Sequence, residues 1–274
     1  MDIQLICMDL DGTALQNDRC SFSPRLCAAL EEAHARGIAI VPVTGRQYGL
    51  LPPAVSCHPV WENLAVLCNG GQIRDLRTGE ILHHLSISVR ALETLLQVAK
   101  KYDLPIEFSV DSTLHLTARS LQLQKPWPEL DFHLNTILAS NGRIVEDLAP
   151  LCAAQVEKVN LLCISPELRA QVEQDLSCIP VSAVWTSSSC LEITPPDAKK
   201  GSALSHLSRL LQIPVENMMT LGDSGNDESM LRAAGLGIAM GNAPDHIKAI
   251  ADAVTETNDR DGAAIAIEKY ALTK

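Results

Sequence analysis

The first candidate site is the segment DLDGT at residues 9–13, which directly follows a short apolar run. Side chains two positions apart on an extended chain point to the same side, so the carboxylates of Asp9 and Asp11 can face one space. Two carboxylates this close repel each other unless a cation or a proton lies between them. Gly12 allows the chain to turn sharply after them. The segment is therefore a candidate metal site.

A second acidic segment, GDSGND at residues 222–227, also follows an apolar run. It contains Asp223, Asn226 and Asp227, and its two glycines allow a tight loop. Mg²⁺ is commonly bound by one or two carboxylates together with water and substrate phosphate. We therefore predict a magnesium ion bound by the carboxylates of Asp9 and Asp223, with the backbone carbonyl of Asp11 as a further ligand.

Two shorter segments could bind a phosphate group. Thr44 and Gly45 offer a hydroxyl and backbone N–H groups at the start of a predicted helix, which suits an anion. Lys199 and Lys200 precede another predicted helix, and a lysine can offset charge on a transferring phosphoryl group. Each segment alone is also typical of an ordinary helix start or a solvated surface. Their combination with the acidic segments indicates one phosphate site.

These segments share a position, because each lies near the end of a predicted element. Apolar runs predict strands that are separated by helices, and the strands cover residues 3–8, 38–43, 64–68, 218–221 and 236–240. Strands alternating with helices predict a parallel, doubly wound sheet of the Rossmann-like type. Ligands bind such α/β sheets at the carboxyl ends of the strands, where the candidate residues stand.

The pattern changes near residue 83, where predicted strands follow one another without helices between them. Helices are predicted at 88–102 and 166–177, a loop at 122–130, and strands at 104–110, 113–117, 157–164, 179–186 and 189–194. This arrangement favours an antiparallel sheet with helices on one face. We therefore predict a core domain formed by 1–82 and 194–274, and an inserted α/β cap domain at 83–193.

Composition limits the possible partners. The 274 residues carry a formal charge of −11, which argues against nucleic acid and against an anionic membrane surface. No apolar stretch approaches the ~20 residues needed to span a bilayer, and the amino terminus lacks a signal-peptide pattern. The nine cysteines include no CxxC pair, which favours reduced, mostly buried thiols. These features predict a cytoplasmic protein, whereas the sequence leaves its oligomeric state open.

Taken in chain order, the four candidate segments resemble the motifs of the haloacid dehalogenase (HAD) superfamily of phosphatases. These segments contain Asp9, Thr44, Lys200 and Asp223. The segments LGDSGNDESML, GIAMGNAPDHIKAIADAVT and NDRDGAAIAI are similar to its Cof-type branch, subfamily IIB. The resemblance covers the two halves of the core well, whereas in 83–193 it concerns only the architecture. It implies a phosphatase that acts on small phosphorylated metabolites, such as a sugar phosphate, a nucleotide or a vitamin phosphate.

The resemblance also implies a role for each candidate residue. Asp9 would attack phosphorus and carry an aspartyl-phosphate, while Asp11 would act as general acid and then general base. The other implied roles are phosphoryl-oxygen binding by Thr44, Lys200 and Asn226, metal binding by Asp223, and support of the metal ligands by Asp227. Of the two lysines, the spacing favours the one directly before the glycine.

Three alternatives stay open from the sequence. A phosphomutase of the same superfamily would use the same aspartates but would return phosphate to a sugar. A phospho-acceptor signalling module also places aspartates, a threonine and a lysine at strand ends, although such a module is usually one small domain. A dinucleotide-binding protein is suggested by Gly235, Gly237 and Gly241, but these flank a predicted strand instead of following it.

Overall fold

The structure, a computed structural model, describes residues 2–57, 59–61, 63–136 and 142–273. The chain divides into two units. Unit 1 comprises Met1–Gly45, Leu51–His83 and Lys199–Lys274, and unit 2 comprises Arg46–Leu50 and His84–Ala198. In the part of the chain that the structure describes, no helix has both the length and the apolar content needed to cross a membrane.

The strands, numbered along the chain, are β1 Leu5–Met8, β2 Ala39–Pro42, β3 Leu64–Leu67, β4 Gln72–Asp75, β5 Ile81–His84, β6 Ile106–Val110, β7 Thr113–Thr117, β8 Gly142–Val145, β9 Val156–Leu161, β10 Ser182–Trp185, β11 Leu191–Thr194, β12 Met218–Gly222, β13 Leu236–Ala239 and β14 Ala253–Val254. The helices are α1 Pro24–Ala35, α2 Pro53–Ser56, α3 Val89–Lys101, α4 Ala118–Gln124, α5 Asp131–Thr136, α6 Arg169–Leu176, α7 Lys200–Leu211, α8 Glu228–Ala233, α9 Asp245–Lys248 and α10 Gly262–Tyr270.

Unit 1 is built around a parallel sheet with strand order β14-β13-β12-β1-β2. Alternate side chains of β1 point to opposite faces of this sheet. Ile6 and Met8 join a buried core with α1 and α10, whereas Leu5 and Cys7 join a separate core with α7 and α8. Helices therefore cover both faces, and the predicted doubly wound, Rossmann-like sheet is confirmed.

The strand predicted at 64–68 was expected to pair within the parallel sheet, but its main partner lies in a different sheet. β3 pairs antiparallel with β4 in a three-stranded sheet of order β3-β4-β5. It meets the chain beyond β2 through a parallel bridge between Val43 and Val66, and the Thr44 N–H donates to the Val66 carbonyl at 2.9 Å. β3 is therefore linked to the five-stranded parallel sheet by one parallel bridge, next to β2, and is not one of its strands.

Unit 2 contains a six-stranded sheet of order β10-β11-β9-β6-β7-β8. Its neighbours pair antiparallel, as predicted, except that β7 and β8 run parallel. Apolar side chains of β6, β9 and β11 pack with α3 and α6 in one buried core. The Ser88 hydroxyl caps α3 by accepting a hydrogen bond from the Ala91 N–H.

Other elements of unit 2 differ from the sequence prediction. α4 extends into the segment predicted as a loop, and α5 and β8 have no counterpart among the predicted elements. The strand predicted at 157–164 ends at Leu161, because Cys163 adopts a left-handed backbone conformation (φ 57°) that a strand cannot contain.

The nine cysteines are all free thiols. The prediction that most of them are buried was wrong. Only Cys7, Cys68 and Cys152 are buried, whereas the others are half-buried or exposed. Because free cysteine packs as a small apolar group, an apolar neighbourhood in sequence was a poor guide to burial.

Candidate active site

Asp9 and Asp223 meet because two neighbouring parallel strands end at the same edge of the unit 1 sheet. Asp9 follows β1 and its N–H donates to the Leu221 carbonyl of β12 at 3.0 Å. Gly12 then turns the chain with φ 77°. A methyl group at Gly12 would lie 2.5 Å from Oδ2 of Asp223, so glycine lets the two acidic segments approach.

Three carboxylates form a cluster at this edge. One carboxylate oxygen from each of Asp9, Asp223 and Asp227 lies within 4.8 Å of the others. Burial raises the pKa of Asp9 well above its ordinary value, and the neighbouring carboxylates add to this effect while Lys200 opposes it. Burial, followed by the charge of Asp227, also raises the pKa of Asp223 to about 7. The cluster therefore concentrates negative charge that a cation would offset.

Lys200, the first residue of α7, bridges two of these carboxylates. Its Nζ donates to Oδ1 of Asp9 and to Oδ1 of Asp227, both at 2.6 Å, and its side chain is 0% exposed. Burial alone would lower the pKa of Lys200, but the charges of Asp227 and Asp9 raise it overall. Lys199, in contrast, is exposed. The structure thus places Lys200, and not Lys199, within the cluster.

Asp227 holds the acidic loop in place. Its Oδ2 accepts the N–H groups of Asp223 and Ser224, both at 2.9 Å, while its Oδ1 accepts from Lys200. Asp227 is completely buried. Because Asp227 accepts from the N–H of Asp223 itself and also binds the Lys200 ammonium group, it is suited to orient Asp223 within the cluster.

Asn226 and Thr44 are brought together through Asn69. The Asn226 amide donates to the Asn69 side-chain carbonyl at 2.9 Å and its own carbonyl accepts from the Ser224 hydroxyl at 2.7 Å. The Asn69 N–H donates to the backbone carbonyl of Thr44 at 3.1 Å. Thr44 is buried, and Gly45 follows it in a half-buried position.

Asp11 lies near the same cluster. Its charge raises the pKa of both Asp9 and Asp223, and its side chain is half-buried. Its own backbone is extended (φ −75°, ψ 121°), although a helical turn begins at Leu10, so β1 does not continue to Asp11. Among the sequence candidates, all except Lys199 therefore lie at this edge of the unit 1 sheet or in segments hydrogen-bonded to it.

Other residues of the site were not singled out from the sequence. The Thr13 hydroxyl donates to Oδ1 of Asp223 at 3.2 Å. The Asn242 amide donates to the Gly12 carbonyl at 2.9 Å and to Oδ2 of Asp223 at 3.3 Å. Asn69 is the third such residue. Each of the three stands in or beside a segment that the sequence analysis had marked, so the signal was their position and not their residue type.

The donor set fits a hard divalent cation. Carboxylate oxygens are ligands of Mg²⁺ and Ca²⁺, while cysteine and histidine, which favour zinc, are missing from the acidic cluster found among the described residues. Asp9 and Asp223 lie close enough to share one ion. The raised pKa values of these two carboxyl groups also indicate a charge that an ion would balance.

Comparison with known proteins agrees with this geometry. Residues 6–267 match the family model described as haloacid dehalogenase-like hydrolase. Phosphatase YwpJ of Bacillus subtilis is 30% identical, over 96% of this chain and 98% of its own. The 5-amino-6-(5-phospho-D-ribitylamino)uracil phosphatase YcsE of the same organism is 28% identical, over 99% and 97%. A solved haloacid dehalogenase-like hydrolase from B. subtilis superimposes with a TM-score of 0.84 at 28% identity, covering 98% of this chain and 100% of that one.

The fold, the aspartate-rich site and these relatives define a hydrolase of phosphoric monoesters. The chain belongs to the haloacid dehalogenase-like hydrolase family, in agreement with the Cof-type resemblance of its sequence motifs.

Proposed function

We propose that this chain is a Mg²⁺-dependent phosphatase that removes phosphate from small metabolites through an aspartyl-phosphate on Asp9. The observation that supports this most directly is the meeting of Asp9, Asp223 and Asp227 within 4.8 Å around the buried ammonium group of Lys200. Residues far apart in the chain form this cluster, since Asp9 and Lys200 are 191 positions apart.

In the first step of the proposed reaction, Asp9 attacks phosphorus. Lys200 binds Oδ1 of Asp9, and no hydrogen bond within the described residues involves its Oδ2, which is therefore the attacking atom. A bond forms between Oδ2 and phosphorus while the bond from phosphorus to the ester oxygen breaks. Asp11 gives its proton to that leaving oxygen. Thr44, Gly45, Lys200 and Asn226 hold the phosphoryl oxygens.

In the second step, water releases the phosphate. Asp11, now a carboxylate, takes a proton from the water as its oxygen attacks phosphorus. The bond between phosphorus and Asp9 breaks, which restores the carboxylate and frees inorganic phosphate. One group thus serves as acid and then as base, which its half-buried position at the edge of the cluster permits.

Asp9, Asp223 and the carbonyl of Asp11 are the residues that would hold the metal ion. When bound, the ion supplies positive charge that screens the carboxylate from the phosphate dianion. Thr13 and Asn242 fix the Asp223 carboxylate through the two hydrogen bonds described above.

The proposal extends to the organisation and location of the chain. Residues 1–82 and 194–274 would form the catalytic domain, and 83–193 a cap domain that selects the substrate. The candidate substrates are sugar phosphates, nucleotides and vitamin phosphates. One relative is named for a ribityl phosphate and another, YbhA of Escherichia coli, for pyridoxal phosphate. Free thiols and a net charge of −11 support a cytoplasmic location without nucleic-acid or membrane partners.

The test is phosphate release from a panel of phosphate monoesters with and without Mg²⁺. We expect wild-type protein to release phosphate, EDTA to stop release, and added Mg²⁺ to restore it. Asp9→Asn should lower the rate at least about a thousandfold, because an amide is a poor nucleophile. The matched control is Asp245→Asn, an exposed aspartate at the start of α9, which should leave the rate unchanged.

Three results would contradict parts of the proposal. Near-normal turnover by Asp9→Asn would remove the nucleophile. Turnover unaffected by EDTA would remove the metal. An isomerised phosphate ester in place of free phosphate would identify a phosphomutase.

A further inference from the structure

The segment Cys68–Gly70, directly after β3, has an unusual backbone, and we call it the left-handed turn. Cys68 and Asn69 have φ of 51° and 57°, and Gly70 follows with φ 99°. A left-handed backbone is uncommon outside glycine, and residues held in it cluster at functional sites. Asn69 is only 5% exposed, so the turn is buried. Its backbone therefore needs an explanation beyond a change of chain direction at the surface.

The left-handed turn contacts three segments that carry proposed phosphate-binding groups. The Asn69 N–H donates to the Thr44 carbonyl at 3.1 Å, and the Asn69 side-chain carbonyl accepts from the Asn226 amide at 2.9 Å. A methyl group at Gly70 would collide with the Lys199 carbonyl oxygen, so the turn also packs against the start of α7. All of these residues belong to unit 1. The turn therefore links the three segments within one unit.

The side-chain carbonyl of Asn69 decides which way the Asn226 amide faces. A side-chain amide carries two N–H donors on its nitrogen and an acceptor on its oxygen. Because a carbonyl oxygen only accepts, Asn69 Oδ1 can pair with Nδ2 of Asn226 but not with its Oδ1. The Ser224 hydroxyl, 2.7 Å from Oδ1 of Asn226, can donate or accept, so it allows either orientation. The orientation of the Asn226 amide therefore depends on Asn69.

This orientation matters because a phosphoryl group is anionic. With one N–H donated to Asn69, Nδ2 of Asn226 keeps a second N–H for a phosphoryl oxygen. The reversed amide would present its carbonyl oxygen to the anion and repel it. Hydrogen bonds to charged groups are roughly twice as strong as those between neutral groups. Loss of the correct orientation should therefore have a measurable effect on turnover.

We propose that Asn69 is a positioning residue that holds the Asn226 amide with its nitrogen toward the transferring phosphoryl group. This role rests on the proposed phosphatase function and adds to it a residue that acts through Asn226. The left-handed backbone, tied to the Thr44 carbonyl, places the Asn69 side chain where it can accept from Asn226.

The test is a double-mutant cycle between residues 69 and 226. The measured quantity is kcat/KM, with Mg²⁺, for the phosphate monoester that wild type hydrolyses fastest. Asn69→Gly removes the acceptor without straining the backbone, because glycine adopts positive φ readily. Asn69→Asp keeps a group that only accepts, on a residue type that tolerates this backbone. The control is Asn63→Gly, because Asn63 is exposed and has nearly the same φ, 55°.

We expect Asn226→Ala to lower kcat/KM about thirtyfold in wild type, the effect of one lost hydrogen bond to an anion. In Asn69→Gly protein the same substitution should cost less than about threefold, because the amide is no longer held. In Asn69→Asp protein it should again cost about thirtyfold, and the added charge is common to both proteins in that comparison. Asn69→Gly alone should lower kcat/KM about tenfold, and Asn63→Gly should leave it unchanged.

A purely structural role for Asn69 would lower activity by the same factor with or without Asn226. The proposal is therefore overturned if Asn226→Ala costs the same factor in wild type and in Asn69→Gly protein, or if it costs little in wild type or in Asn69→Asp protein. The last two criteria apply even if thermal unfolding shows that Asn69→Gly does not fold. If wild type releases phosphate from no ester of the panel, the proposed function itself fails, and this role with it.

Discussion

Comparing Gly12→Ala with the same substitution at a matched glycine separates two effects on the enzyme. One is the strain of alanine in a left-handed backbone, and the other is the displacement of the Asp223 carboxylate. Gly12 has φ 77° and Gly37, after α1, has φ 78°. A methyl group at Gly37 would meet nothing within 4 Å, whereas at Gly12 it would lie 2.5 Å from Oδ2 of Asp223. The two substitutions therefore place alanine at nearly the same φ and differ in what the new methyl group contacts.

The expected magnitudes follow from this comparison. A non-glycine residue in the left-handed region costs about 1–2 kcal/mol, so both variants should lose about that much unfolding free energy. In Gly12→Ala the Asp223 carboxylate must also retreat by about 1 Å to reach an ordinary contact distance of about 3.5 Å. A displacement of about 1 Å at a reacting centre can lower the rate about a hundredfold. We expect that loss for Gly12→Ala and near-wild-type turnover for Gly37→Ala.

The assay combines urea unfolding with the Mg²⁺ dependence of phosphate release. Gly12→Ala should require more Mg²⁺ for half-maximal activity, since the displaced carboxylate is a proposed ligand. If both variants lose equal stability and both keep wild-type turnover and Mg²⁺ dependence, the placement of Asp223 is not needed for activity and the reasoning fails.

Three further predictions address other parts of the chain. Lys200→Met should lower the unfolding free energy by about 3–5 kcal/mol, because it leaves two buried carboxylates without their cation. Lys199→Met, at an exposed position, should change the unfolding free energy by less than about 0.5 kcal/mol. Urea unfolding of both variants checks this. Burial lowers the pKa of His133 but the charge of Glu107 raises it overall, so the His133 contribution should be complete below about pH 6.5 and decline as pH rises through the folded-state pKa. Burial raises the pKa of Glu107 but His133 and the donated hydrogen bonds lower it overall, so the Glu107 contribution should be complete above about pH 4.5 and be lost as pH falls through its lower folded-state pKa. The pair should therefore stabilise most between about pH 4.5 and pH 6.5, and a wild-type advantage over His133→Gln that grows between pH 6 and 9 would contradict this. Thr13→Val removes a hydrogen bond to a proposed metal ligand and should raise the half-maximal Mg²⁺ concentration about tenfold, as a metal titration of activity would show.

The core of unit 1 could be predicted because its signals are local. The apolar runs that form β1 and β12 are short, buried on both faces, and followed at once by Asp9 and Asp223. Strand ends that share one edge then bring those residues together. The placement of Lys200 over Lys199 also agrees with the spacing to the following glycine, although their burial could be known only from the fold.

Side-chain links between distant segments could not be predicted in the same way. Asn242 reaches the Gly12 carbonyl from 230 positions away, and Asn69 reaches Asn226 from 157. A lone asparagine has many uses in loops, so its residue type does not indicate a distant partner. The identity of these partners depends on how the strand ends are arranged in space.

Unit 2 was harder to predict because its sheet combines an apolar face with a buried polar one. Glu107 and Asn160 would be expected on a solvated face, yet they are 0% and 5% exposed. The parallel pairing of β7 with β8 also has no local signal, since register between strands is fixed by the turn and by the cores they join.

The strand order of unit 1 has a consequence for how the newly made chain assembles. β1 is made first, but its neighbour β12 and the counterion of Asp9 are supplied only after residues 84–198 have been synthesised. Apart from Arg46–Leu50, unit 2 is one continuous stretch, 84–198, and this stretch contains all the strands of its six-stranded sheet. We therefore expect unit 2 to fold first as the chain emerges from the ribosome, and the parallel sheet to close last and slowly, because residues 84–198 separate β1 from β12 in the chain.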